Sequence, residues 1–239
     1  MPNPPEDVQS LLAALMASDP GRPRITVYDD TDGPTRGERV ELSARVVANW
    51  VAKAANLLQD ELDAGPGTVV RLALPPHWRT VYWALAAWSV GATVDLRPTG
   101  AGAADIAVAD DPEQVGDAPS GVLVTLAALA RSAPSPVPAG AVDEARELAT
   151  HGDAFTAYDS ADPGAIALLT AEGTTAFDDL VPDAGTAGRW HTDTGDVAAL
   201  LRLVLAAWAA DGSVVLTRGA PDPDALVRRL ASEGVTATA

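Results

Sequence analysis

Apolar and polar positions recur along this chain with two periods, and each change of period marks a new element. Val8, Leu11, Leu12, Leu15 and Met16 keep the i, i+3, i+4, i+7, i+8 spacing of an amphipathic helix, which Asp19-Pro20-Gly21 stops. Residues 25–28 read as a strand and residues 29–39 as a polar loop with room for a hairpin. A second helix follows Ser43 as N-cap, with Val46, Val47, Trp50, Val51, Ala54, Leu57, Leu58 and Leu62 on one face. Ala64-Gly65-Pro66-Gly67 breaks the chain, and residues 68–74 form an apolar strand. Pro75-Pro76 then starts a helix running to about Val90, Gly91 caps it, and residues 92–96 are another strand. This is a βαβ unit, whose strands should be parallel with a right-handed crossover. Its helix carries Val81, Tyr82, Trp83, Leu85 and Trp88 with alanines between them and has almost no polar face, as in a helix sandwiched between layers. Trp50, Trp83, Trp88 and Trp208 all lie on or beside apolar helix faces and are expected to be largely buried.

Beyond a Pro/Gly/Ala loop over residues 97–104, the pattern predicts short strands at 106–109 and 121–125 and a helical turn at 126–130. Residues 131–140, rich in Pro, Ala and Ser, read as an exposed linker, residues 142–149 as a short acidic helix, and His151-Gly152-Asp153 as a turn. Residues 165–169 are an apolar strand that breaks into Thr170, Ala171, Glu172, Gly173, Thr174 and Thr175. Residues 181–194 look irregular, and Thr194 can cap an almost wholly apolar helix over 196–210. Residues 213–217 form a strand, Asp222-Pro223 supply the N-cap and first position of a last helix, and Leu226, Val227 and Leu230 should face the core. Gly234 ends that helix and Val235 begins another strand. The alternation predicts an α/β fold with mostly parallel sheets flanked by helices on both faces. It forms one domain over residues 1–239, divisible into lobes at about 1–160 and 161–239.

Composition narrows the partners. With 47% apolar residues the chain is an ordinary globular one, and its net charge of −17 repels nucleic acid and anionic membrane surfaces. The absence of cysteine removes disulfides, thiolate metal sites and thiol nucleophiles. His77, His151 and His191 lack metal-ligand spacing, so no metal site is expected. The N-terminus shows neither a basic n-region nor an apolar signal segment, and no run approaches the ~20 apolar residues of a spanning helix. The expectation is a cytoplasmic protein without a membrane anchor. No G-x-S-x-G elbow, P-loop or dinucleotide fingerprint is present, and neighbouring acids such as Asp29 with Asp30 or Asp110 with Asp111 read as solvated turn residues. No catalytic residue is assigned.

The stretch 165–179 carries the most specific chemistry. A hydroxyl-rich Gly-Thr-Thr turn after a buried strand is where backbone N–H groups and hydroxyls can wrap a phosphate. In this chain, however, Glu172, Asp178 and Asp179 bring carboxylates to that neighbourhood.

The order of elements, with several local strings, resembles the N-terminal region of the adenylate-forming superfamily, which includes acyl-CoA synthetases, luciferases and peptide-synthetase adenylation domains. The strings are Glu41-Leu42 with the helix carrying Ala54, Asn56 and Leu57, then the run from Gly67 to Pro76, then the run from Ala84 to Leu96. Towards the C-terminus come Ala210-Asp211-Gly212-Ser213, Pro223-Asp224-Ala225-Leu226 and Glu233-Gly234-Val235-Thr236. The resemblance implies an ATP- and Mg²⁺-dependent fold whose central loop reads Thr-Ser-Gly-Thr-Thr-Gly-x-Pro-Lys. Gly173, Thr174 and Thr175 match that loop, whereas Ala171 and Glu172 replace Thr and Ser, Ala176 replaces Gly, and Asp178 and Asp179 replace Pro and Lys. Family motifs for adenine, ribose and metal, and the C-terminal domain with its catalytic lysine, do not follow, and Asp193-Thr194-Gly195-Asp196 reads as a helix start. What the resemblance implies is therefore a truncated, catalytically incompetent relative without a cofactor of its own. It would act by binding a protein partner, a second copy of itself, or a small acyl or nucleoside ligand. The alternative is half of a split ligase completed by another chain.

Overall fold

The computed structural model describes residues 5–98 and 100–239; residues 1–4 and Thr99, which falls in the predicted 97–104 loop, lie outside the described residues. In chain order the first elements are α1 (Val8–Ser18), β1 (Pro23–Asp30), β2 (Arg39–Ser43) and α2 (Ala44–Asn56), the last running into a π-turn at Leu57–Glu61. Then come β3 (Val69–Ala73), α3 (Trp78–Ser89), β4 (Thr93–Asp95), β5 (Ile106–Ala109), α4 (Pro112–Val115), β6 (Ser120–Leu123), β7 (Ala141–Asp143) and α5 (Glu144–Glu147). The chain continues with β8 (Ile166–Leu169), β9 (Thr174–Ala176), β10 (Arg189–Thr192), α6 (Val197–Ala209), β11 (Ser213–Gly219), α7 (Pro223–Ser232) and β12 (Ala237–Thr238).

These elements form two compact units that do not divide near residue 160. One unit joins the described residues up to Val47 with residues 75–78 and 181–239, and the other comprises residues 48–74 and 79–180. The second unit holds a seven-stranded sheet of order β7-β6-β5-β3-β4-β8-β9, parallel except for the antiparallel β9. The expected βαβ unit is present: β3 and β4 pair in parallel, Val70 opposite Val94, with α3 as the crossover. Every residue of α3 is buried, as its lack of a polar face requires. Trp83 and Trp88 are among them, and the Trp88 indole N–H donates to the Ala167 carbonyl at 2.8 Å, which ties α3 to β8.

The first unit holds a five-stranded sheet of order β12-β10-β11-β1-β2, parallel except for the β1–β2 hairpin. Along β1 the two faces differ in chemistry. Ile25 and Val27 are buried apolar residues, as are Val214 and Leu216 of β11, while α6 packs on β10 and β11. Thr26 and Tyr28 instead join a polar network. Arg189 Nη2 donates to Thr26 Oγ1 at 2.9 Å and also to Glu233, and Tyr28 donates to Glu233 Oε1 at 2.5 Å. Arg39 Nε and Nη2 reach the same carboxylate at 3.0 and 2.8 Å. Burial alone would raise the Glu233 pKa, but the hydrogen bonds from Tyr28, Arg39 and Arg189 outweigh it and hold the carboxyl down at about 2.

Several expectations need correction. Residues 142–149 begin as a strand, β7, before the short helix, and residues 181–194 contain β10. Residues 126–130 form a turn without a helix. The 131–140 segment is not simply exposed: Ala133 and Val137 pack against Ala109, Val115 and Leu123, and the Ala133 N–H donates to the Asp143 carboxylate at 2.9 Å. Val227 is 67% exposed, because α7 meets its sheet through the Arg229–Asp30 pair and Glu233 more than through apolar contact. Trp208, like Trp83 and Trp88, is buried, whereas Trp50 is half-buried and stacks on Tyr82 with ring centroids 5.8 Å apart. The last-helix N-cap is as expected, with Asp222 accepting from the Ala225 N–H at 2.9 Å. The α6 cap is Asp196 itself, and Thr194 supports it by accepting from the Asp196 N–H at 3.1 Å.

Two measurements check this picture. Trp88→Ala removes a buried indole and leaves the Ala167 carbonyl without its donor, and should cost about 3 to 5 kcal/mol in urea unfolding; a loss under about 1 kcal/mol would place Trp88 outside the core. Because the Glu233 pKa falls from an ordinary 4.5 to about 2 in the folded state, its stabilisation is complete above about pH 4.5 and is lost as pH drops toward 2. Glu233→Gln should therefore lower stability by about 1 to 2 kcal/mol at pH 7, after allowing for solvent screening, and flatten the acid limb of the stability curve. An unchanged acid limb would show that Glu233 is not the titrating group.

Candidate functional site

The site begins with two strand pairings. β8 lies parallel to β4, with Asp95 in register with Leu169, and the Leu96 N–H donates to the Leu169 carbonyl at 2.9 Å. β9 folds back antiparallel on β8, Leu169 opposite Thr174. The six residues singled out in the sequence, Thr170 to Thr175, are thus brought together as a turn and the two strand positions that follow it.

The turn closes on itself. The Thr170 N–H donates to the Gly173 carbonyl at 2.9 Å, its hydroxyl lies 3.2 Å from the same oxygen, and the Glu172 N–H donates to Thr170 Oγ1 at 3.3 Å. Ala171, Glu172, Gly173 and Thr174 are exposed, while Thr170 and Thr175 are half-buried. Asp178 and Asp179 do not belong to this turn. They sit in a 3₁₀ turn after β9, where the Phe177 and Asp178 N–H groups donate to the Ala165 and Pro163 carbonyls, both at 3.0 Å. β9 therefore separates them from Glu172 by the length of a short strand, about 10 Å.

Beside the turn, at the end of β4, lies a group that the sequence reading passed over. Asp95 is fully buried and accepts from Arg97 through Nε, Nη2 and the peptide N–H, and from Arg71 Nη2. Burial would raise its pKa, but these hydrogen bonds and the Arg97 charge hold it below the ordinary aspartate value. Only Asp-Leu-Arg at a strand end could have signalled it.

Other features of the same unit are distinct from the turn. A cleft of about 230 Å³ is lined by residues that include Gln59, Pro66, Val90, Tyr158 and Asp159, and none of residues 170–175 lines it. Along α2 and its π-turn, Lys53, Asn56 and Gln59 strap down the 149–158 segment by donating to the carbonyls of Ala149, His151, Gly152, Ala154 and Thr156. His151 Nε2 lies 3.3 Å from Glu61 Oε1. In the first unit, buried His191 meets Thr217 Oγ1 through Nε2 at 3.2 Å, and burial lowers its pKa. Among the described residues no group of three or more His, Cys, Asp or Glu side chains is placed to hold a metal ion, and no helix is long and apolar enough to cross a membrane.

No protein-family model matches the sequence. A "TIGR03089 family protein" of Mycobacterium tuberculosis (strain ATCC 25618 / H37Rv) is 34% identical over an alignment 245 positions long that covers 95% of each chain. Among solved structures, an acyl-CoA synthetase of Brucella canis superposes with a TM-score of 0.73 at 15% identity, over 99% of this chain and 48% of that one. The amide bond synthetase McbA of Marinactinospora thermotolerans gives 0.63 at 17% identity, over 97% of this chain and 48% of that one. The N-terminal subdomain of Klebsiella oxytoca NpsA, in complex with 3-hydroxyanthranilyl-AMSN, gives 0.62 at 17% identity, over 98% of this chain and 60% of that one. The chain thus spans about half the length of the two synthetases. It belongs to the TIGR03089 family and has the α/β fold of the N-terminal region of adenylate-forming enzymes.

Proposed function

We infer that this chain binds a small acyl or nucleoside ligand, or a protein partner, without forming an adenylate. The observation that carries the reading is the closed turn at Thr170 to Gly173. Two of its N–H groups and the Thr170 hydroxyl are spent on acceptors inside the turn, and the exposed side chain at its tip is the Glu172 carboxylate. No lysine follows, since residues 176–179 are Ala, Phe, Asp and Asp.

MgATP does not fit these residues. A carboxylate about 4 Å from a phosphate charge costs roughly 1 kcal/mol in bulk water and several times that near a protein surface. The absent lysine forgoes a charge-assisted bond of about 1.5 to 3 kcal/mol. With Asp178 and Asp179 beyond β9, the argument rests on Glu172 and the closed backbone rather than on three carboxylates at the turn. The binding half of the reading is supported by the NpsA N-terminal subdomain, whose structure contains 3-hydroxyanthranilyl-AMSN.

Millimolar MgATP should leave the melting temperature unchanged, and the purified chain should show no pyrophosphate exchange. A Kd of tens of micromolar would give roughly 2 to 3 kcal/mol of stabilisation at that concentration, a shift easily seen. Such a shift, or exchange by the chain alone, would overturn the reading. Exchange appearing only on addition of a second chain would favour a split ligase. Stabilisation by an acyl or adenosine ligand should survive Glu172→Ser.

A further inference from the structure

The cleft between the π-turn and the 158–159 segment has a wall that packing alone does not explain. Tyr158 is 76% exposed, yet both ends of the residue are tied down. Its N–H donates to Gln59 Oε1 and its hydroxyl to Asp60 Oδ1, each at 2.9 Å. Gln59 is itself buried and donates to the Thr156 carbonyl at 3.3 Å. Gln59 and Asp60 both come from the π-turn at Leu57–Glu61, a widened helical turn of the kind that recurs at functional sites. Ordering an exposed aromatic side chain costs conformational entropy, and no burial of the ring offsets that cost. A ring held still against water in the wall of a cleft is a surface preorganised for a ligand.

The rest of the lining defines the chemistry of that ligand. Pro66 and Val90 add apolar surface, and Asp63 and Asp159 bring two carboxylates that make no hydrogen bond or ion pair among the described residues. No Lys or Arg occurs between Lys53 and Arg71 or between Arg146 and Arg189, the two stretches that supply all of the lining except Val90. The flanking bases are engaged elsewhere: Lys53 pairs with Asp153 at 2.8 Å, and His151 faces Glu61. The potential in the cleft is therefore negative and uncompensated, so the ligand is a cation. A metal ion fits poorly, since among the described residues no group of three or more His, Cys, Asp or Glu side chains is placed to hold one. At about 230 Å³ the cleft is smaller than the roughly 300 Å³ at which drug-sized sites begin, which suits a short aliphatic chain.

We propose that this cleft binds a small aliphatic diamine. Its two ammonium groups balance Asp63 and Asp159, the Tyr158 face receives one of them as a cation–π partner, and its methylenes cover Pro66 and Val90. The site is separate from the Thr170–Gly173 turn, and the proposal stands or falls independently of the function inferred from that turn.

Isothermal titration at low ionic strength with putrescine, butylamine and Mg²⁺ tests the proposal on the wild type, Asp63→Asn, Asp159→Asn, Tyr158→Leu and Asp117→Asn, with circular dichroism as the check on folding. Asp63 has a φ of 53°, a conformation that asparagine also adopts, so Asp63→Asn removes the charge without adding strain. Putrescine should bind the wild type, weaken about tenfold or more in Asp63→Asn and Asp159→Asn, and weaken about threefold or more in Tyr158→Leu. Asp117→Asn, whose exposed residue is not part of the lining, should keep the wild-type affinity, and butylamine should bind more weakly than putrescine. If Tyr158→Leu does not fold, the two cleft aspartate variants decide. Absence of putrescine binding to the wild type at about 10 mM would overturn the proposal. So would unchanged affinity in the cleft variants, an equal loss in Asp117→Asn, or Mg²⁺ bound as tightly as putrescine.

Discussion

The burial of α3 sets the terms for the larger sheet. A helix with every residue out of water has no polar face to spare, so each charged or polar group on it needs an internal partner. Arg79 stands in its first turn. The guanidinium is paired with Glu144 at 2.6 Å, meets the Tyr82 hydroxyl at 3.3 Å and donates to the Ala127 carbonyl at 3.0 Å. Tyr82 donates to the same Glu144 oxygen, and burial raises the Glu144 pKa against the pull of Arg79 and Tyr82. One apolar helix thus fixes the turn after β6 and the start of α5, both far from it in sequence. The pair is weak evidence for stability, since apolar residues of equal volume could replace it, but removal of one member would strand a buried charge.

The same logic explains which elements were legible in the sequence. The βαβ unit could be read because apolar runs and glycine breaks carry its period and length. β10 could not, because Arg189 and His191 occupy positions where a hydrophobic pattern expects apolar residues; they suit a sheet face on which Thr26, Thr217 and Glu233 are their partners. A polar sheet face has no signature until its partners are known. The Pro-rich segment misled in the opposite sense. Alternation of Ala133 and Val137 with exposed neighbours is a period-two pattern too short to stand out, and the pocket that receives them is built by Val115 and Leu123. Val227 shows the limit of helical periodicity, which gives a stripe but not the element that covers it.

At the candidate site the residues were legible and their arrangement was not. Thr170 to Thr175 form a turn and the start of β9, but reading residues 170–179 as one continuous loop placed Asp178 and Asp179 beside Glu172. The antiparallel return of β9 moves them to the opposite end of a hairpin. Arg97 gave the reverse problem. An arginine after a strand is unremarkable, and its character comes from a buried aspartate two residues earlier together with an arginine from the adjacent strand. The sequence prints those residues without the pairing that makes them a unit.

The residues that hold this fold together are not those of the exposed turn, which bears on how one set can persist while the other changes. The turn at Thr170 to Gly173 is exposed and satisfies its own backbone, so substitutions at Ala171 or Glu172 disturb little packing. Trp88, Asp95 and Arg79 have no such latitude, because each is buried and bonded across elements distant in sequence. A chain can therefore keep α3 and its sheet while the residues of this exposed turn change.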